Sequence, residues 1–71
     1  MDKLQEFWKY VETHKKDPEY RHLSQGQLLW GCLIRVDDPL AGKITGTELD
    51  PFHDDSKIDA FLSYITQAWG A

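Results

Sequence analysis

Four groups of residues in this 71-residue chain have types and spacings that invite a chemical reading. Cys32 is the single cysteine, and His14, His22 and His53 are the bases that could activate it. A cysteine nucleophile needs such a base within hydrogen-bond reach. Cys32 instead falls on the apolar stripe of a predicted helix, where a lone cysteine acts as a small inert hydrophobe. Ser24, followed by Gln25 and Gly26, lacks the G-x-S-x-G turn of a nucleophile elbow and reads as a helix cap. Gly42-Lys43 fails as a phosphate loop, because the position of its first glycine holds Asp37 and Lys43 is followed by Ile44. Asp50-Pro51-Phe52-His53-Asp54-Asp55 gathers carboxylates and an imidazole, which hard cations accept. The D-x-[DN]-x-[DN]-G spacing is missing there, and no second histidine stands at helical spacing. Asp54 and Asp55 serve better as acidic complements to the positive start of the next helix. The expectation is therefore no enzyme, no cofactor and no metal.

What remains is charge. Residues 37–71 carry seven carboxylates, Asp37, Asp38, Glu48, Asp50, Asp54, Asp55 and Asp59, against Lys43 and Lys57. The first 36 residues hold five acids and six bases, so the net charge of −4 divides as about +1 and −5. A solvated, solubilising face is the plain reading of such a surplus. The sharper reading gathers the seven on one surface that meets a basic groove of a protein partner, with electrostatic steering of the encounter. Direct binding to nucleic acid is not expected, because phosphates require clustered Lys and Arg.

The elements that must position these groups are legible as helical periods. Leu4, Phe7, Trp8 and Val11 form one stripe, with Asp2 as cap and Gln5 three residues on, which predicts a helix over 3–15. Asp17-Pro18 breaks it, and Pro18 can open a single helical turn with Asp17 as its cap. Ser24 with Gln27 predicts a second start, and Leu29, Cys32, Leu33 and Val36 carry that helix to about residue 36. Leu28, Trp30 and Ile34 widen its apolar girth, as expected of a central helix. From 37 to 53, Pro39, Gly42, Gly46 and Pro51 punctuate a segment without a period, which predicts a long loop. Ile58, Phe61, Leu62, Ile65 and Trp69 then predict a last helix over 55–69, capped by Asp54, Asp55 or Ser56.

The fold class is accordingly all-α, a single-domain three-helix bundle with a short extra turn and a long loop between the second and third helices. Its expected core is Leu4, Phe7, Trp8, Val11, Leu23, Leu29, Leu33, Ile58, Phe61, Leu62, Ile65 and Trp69. A domain of this size buries only about 60% of its unfolded surface, so either a monomer or a homodimer is consistent. One cysteine excludes an internal disulfide. The N-terminal residues lack the pattern of a secretory signal, and no apolar run approaches the ~20 residues needed to cross a bilayer. A cytoplasmic setting is expected.

Two patches carry a resemblance. Asp17-Pro18-Glu19-Tyr20-Arg21 with Gly26-Gln27-Leu28-Leu29 resembles the P-x-x-R … G-Q-L-L stretch of small helical proteins encoded by bacteriophages and prophages. Asp50-Pro51-Phe52-His53-Asp54-Asp55-Ser56 resembles the D-x-F-[YH]-x-[DS] stretch that follows it in them. The resemblance implies an accessory protein of a mobile element that acts by binding host machinery, as anti-CRISPR and other anti-defence inhibitors do. The expected function is thus a non-enzymatic acidic binding protein. Asp37, Asp38, Glu48, Asp50, Asp54, Asp55 and Asp59 would supply its charge, and Phe52 or Trp30 its apolar anchor. The alternative is a phage assembly protein that self-associates through Trp30, Trp69 and the girth of the second helix.

Overall fold

Asp2 caps the first helix by accepting the Gln5 N–H at 2.8 Å, and α1 runs over Lys3–Lys15. In the computed structural model, which describes residues 2–70, Asp17 next accepts the Glu19 N–H and starts a 3-10 turn at Pro18–Tyr20. Ser24 and Gln27 form a reciprocal capping box, at 3.2 and 3.0 Å, that opens α2, Gln25–Ile44. A second 3-10 turn, Asp55–Lys57, leads into α3, Ile58–Gly70. There is no strand among the described residues, and the all-α three-helix bundle stands.

The long loop expected over 37–53 is shorter than predicted, because α2 does not stop at residue 36. It kinks at Asp37 (φ −153°, ψ 76°) and continues to Ile44. Pro39 forces the kink, since it lacks an N–H and its ring opposes the carbonyl four residues back. Asp37 then caps the second segment, its Oδ1 accepting the Leu40 N–H at 3.2 Å. A proline in the first turn of a new helix costs nothing. The segment is amphipathic, and Leu40, Ala41 and Ile44 are buried. The connection proper covers residues 45–54, and Gly46 takes the left-handed conformation (φ +77°) that glycine allows.

The direction of the helices explains this return leg. Asp55, just before α3, receives the N–H of Gly26 at the start of α2. Trp69, near the end of α3, reaches Asp37. The two helices therefore run the same way, and the chain leaving Asp37 must travel back about 16 Å to begin α3. α1 runs against both, with Lys3 beside Asp37 and His14 beside Leu28.

The core centres on Phe7, Val11, Leu29, Cys32, Leu33, Phe61 and Ile65, each almost wholly buried. Phe7 meets Phe61 and Trp69 at ring separations of 6.4 and 5.7 Å, and Trp30 meets Phe61 at 6.2 Å. Trp8, expected in the core, is 40% exposed and rests edge-on against Phe7. The buried face of α1 keeps Phe7 and Val11 at its centre and extends toward Tyr10 and His14 rather than toward Trp8. Leu4, Leu23, Ile58, Leu62 and Trp69 are half-buried at the margin. Trp30, offered by the sequence as an anchor or a self-association surface, is instead part of the core.

Gly26 and Gly31 make a matched test. A Cβ at Gly26 would overlap the Pro51 carbonyl and crowd the Asp55 carboxylate, whereas a Cβ at Gly31 meets nothing within 4 Å. Gly26→Ala is expected to lose about 1–3 kcal/mol of stability through overpacking, despite its better helix propensity. Gly31→Ala should gain up to about 1 kcal/mol. Urea midpoints of the two variants check the opposite signs.

Candidate functional site

Asp50, Asp54 and Asp55 lie within one tight turn, and each holds part of it. Asp50 accepts the Gly46 N–H at 2.9 Å with one oxygen and the Phe52 N–H at 3.0 Å with the other. The Asp54 N–H returns to the Pro51 carbonyl. Asp54 in turn accepts both the N–H and the hydroxyl of Ser56, at 2.9 and 2.6 Å. Those donors, the hydroxyl first, hold its carboxyl below the usual aspartate range, so it is charged at neutral pH. Asp55 bonds Gly26 across to α2 at 3.0 Å, and Pro51 is fully buried where Gly26 leaves room. Side-chain acceptors of this kind fix a turn because they replace the backbone partners that a loop lacks.

Phe52 projects from this frame. Its ring is 36% exposed and rests edge-on against His53 at 4.7 Å. Glu48 precedes the turn and Asp59 follows it, both exposed. Residues 48–59 carry five carboxylates against one lysine, Lys57.

Asp37 and Asp38 lie elsewhere, at the kink, about 16 Å along α2 from the Gly26–Asp55 contact. The seven carboxylates therefore do not form the single patch anticipated from the sequence. Asp37 is not free to meet a partner. Its side chain is 14% exposed and its Oδ2 accepts Trp69 Nε1 at 2.9 Å and Lys3 Nζ at 3.1 Å. With the Leu40 N–H it takes three donors, one from each arm of the fold. The indole N–H, followed by the lysine and the Leu40 amide, lowers its pKa. Asp38 is exposed beside it.

The polar side chains of the turn are engaged in holding it. No group of three potential metal ligands occurs among the described residues. Asp50 turns both oxygens to backbone donors, Asp54 turns its Oδ1 to Ser56, and His53 packs on Phe52. Cys32 is fully buried, and burial pushes its thiol up to about 11, away from the thiolate that a nucleophile needs. No helix among the described residues is long and apolar enough to cross a membrane. Comparison with protein-family models, curated proteins and solved structures gives no match.

A second constellation went unread in the sequence. His14 lies against Tyr20 with ring centroids 4.3 Å apart and stacks on Tyr10 at 6.2 Å, while Arg35 covers the Tyr10 ring at 5.6 Å. The spacing of Tyr10 and His14, four apart on α1, was the available signal. The apolar stripe of Leu4, Phe7, Trp8 and Val11 leaves both residues outside it.

Two expectations follow. Asp37→Asn should cost about 1–3 kcal/mol at pH 7, since it weakens bonds to a charged acceptor and leaves a half-buried indole N–H poorly met. The lowered native pKa makes the Asp37 contribution complete above the ordinary aspartate range near 4 and lost as pH falls through the native value. The stability gap between wild type and variant, measured by urea unfolding, should therefore narrow from pH 7 to pH 3. Separately, Cys32 should resist a thiol reagent at pH 8 in the folded protein and react at once in denaturing urea.

Proposed function

We propose that the protein is a non-catalytic binding module that docks on a basic protein surface through the turn around Phe52. The observation that carries this reading is the exposed Phe52 ring on a backbone pinned by Asp50, with charged carboxylates on both sides. A pinned turn loses little conformational freedom on binding. An exposed aromatic ring among carboxylates suits arginine, whose planar guanidinium stacks on rings and pairs with carboxylates. Hydrogen bonding to backbone amides does not remove the negative charge of these aspartates. Glu48 and Asp59 extend the field, while Asp37 is assigned to the fold and Asp38 stands apart.

In its specific form, the proposal is an inhibitor made by a bacteriophage or other mobile element that occupies a nucleic-acid-binding groove of a host defence complex. That form rests on the resemblance of the Pro18–Leu29 and Asp50–Ser56 patches and on the acidic character of the turn.

The decisive variants avoid the carboxylates that hold the turn. Glu48→Lys with Asp59→Lys, and separately Phe52→Ser, should each weaken capture of the partner from a host lysate at least tenfold, with folding unchanged by circular dichroism. Wild-type capture should also fall steeply as salt is raised. Undiminished capture by both variants, insensitive to salt, would remove the acidic turn as the docking surface.

A further inference from the structure

We propose that the corner between α1 and the start of α2 is a binding site for a small aromatic carboxylate. Two hollows, of about 220 and 80 Å³, share His14, Tyr20, Leu23 and Leu28 in their walls, so they adjoin one another along one groove. The larger falls somewhat below the usual range of small-molecule pockets, about 300–1,000 Å³, which limits it to a single ring with a short acidic arm.

The chemistry of the walls selects the ligand. Leu23 and Leu28 supply an apolar floor, and the tilted rings of His14 and Tyr20 offer faces for stacking. Lys15 lines the larger hollow and Arg35 the smaller one, and neither hollow is lined by a carboxylate. In a chain of net charge −4 this is a local reversal of sign. Arg35 is held over Tyr10, which orders its guanidinium beside the groove before any ligand arrives.

His14 adds a directed donor. Its Nδ1 is sealed from solvent and has no hydrogen-bond partner. A sealed N–H without an acceptor is rarer in proteins than a sealed lone pair, so the proton of the neutral ring belongs on Nε2. Nε2–H is then the donor that the ring has to offer a ligand in the groove. An apolar ring in the larger hollow, over Leu23 and Leu28 and against the rings of His14 and Tyr20, with its carboxylate at Lys15, satisfies these features, and Arg35 adds positive field from the adjoining hollow. The site lies apart from the Phe52 turn and stands independently of the function proposed for it.

The test is a nuclear magnetic resonance titration of the labelled full chain with phenylacetate, phenylacetamide and acetate. Phenylacetate is expected to shift the His14 and Tyr20 rings and the Leu28 methyls saturably, with a Kd of about 1 mM. The neutral amide and the ringless acetate should each bind roughly tenfold more weakly, the scale of one lost charge-assisted bond or one lost apolar ring. Lys15→Gln and Arg35→Gln change exposed side chains, keep the fold by their spectra, and should each weaken phenylacetate at least threefold. Absence of saturable shifts, equal binding of the amide, or shifts confined to other surfaces would overturn the assignment and leave a groove filled by water alone.

Discussion

One carboxylate joins the three helices. Asp37 takes the indole N–H of Trp69 from α3, the ammonium of Lys3 from α1, and the amide of Leu40 at the restart of α2. The lysine contact is exposed on one side and contributes modestly, as surface ion pairs do. The indole bond matters more, because Trp69 is half-buried against Phe7 and its N–H has a single use. The same carboxylate cancels the damage done by Pro39. A helix interrupted by proline loses a bond and gains a clash, yet an aspartate two residues earlier turns the interruption into a capped beginning. Kink, cap and helix tie are therefore one event in this chain.

The opposite end of the bundle is closed by close approach rather than by charge pairing. α2 and α3 run in the same direction, so their starts must be brought together by the segment between them. That segment buries Leu40, Ala41, Ile44 and Pro51 on its way back, which gives the return leg its own share of the core. It ends where Gly26 has no side chain, so that the Pro51 carbonyl and the Asp55 carboxylate can reach the first turn of α2. Asp55 thereby serves two helices, ending the connection and receiving an amide that the opening turn of α2 leaves unmet.

These two closures divide the acidic residues by duty. Asp37, Asp50, Asp54 and Asp55 accept backbone or side-chain donors and shape the chain, whereas the exposed Asp38, Glu48 and Asp59 take no such part among the described residues. Holding structure does not discharge a carboxylate: bonds that lower the pKa of Asp54 keep it ionised. The Phe52 turn is thus stiff and negative at once. Across the start of α2 the signs reverse, with Lys15, Arg35 and the ring of His14 around Tyr20. The molecule presents an acidic turn and a basic groove on either side of one helix end.

Local chemistry in the sequence settled the helix starts. Asp2, Asp17 and Ser24 cap where their neighbours predict, because a cap needs only residues two or three positions away. The three-helix class followed from apolar periods for the same reason. Asp37-Asp38-Pro39-Leu40 was also a legible start, an aspartate cap with proline in the first turn and Leu40 and Ile44 four apart, but Pro39 was read as an ending. What could not be read was which face of α1 turns inward. Phe7 and Trp8 are equally apolar, and only packing against Phe61 and Trp69 decides that Phe7 is buried and Trp8 exposed. The division of the seven carboxylates was undecidable for a related reason. Composition counts charges, but whether an aspartate serves the fold or faces solvent depends on donors such as Gly26 and Trp69, some thirty residues distant, that only the folded chain brings within reach.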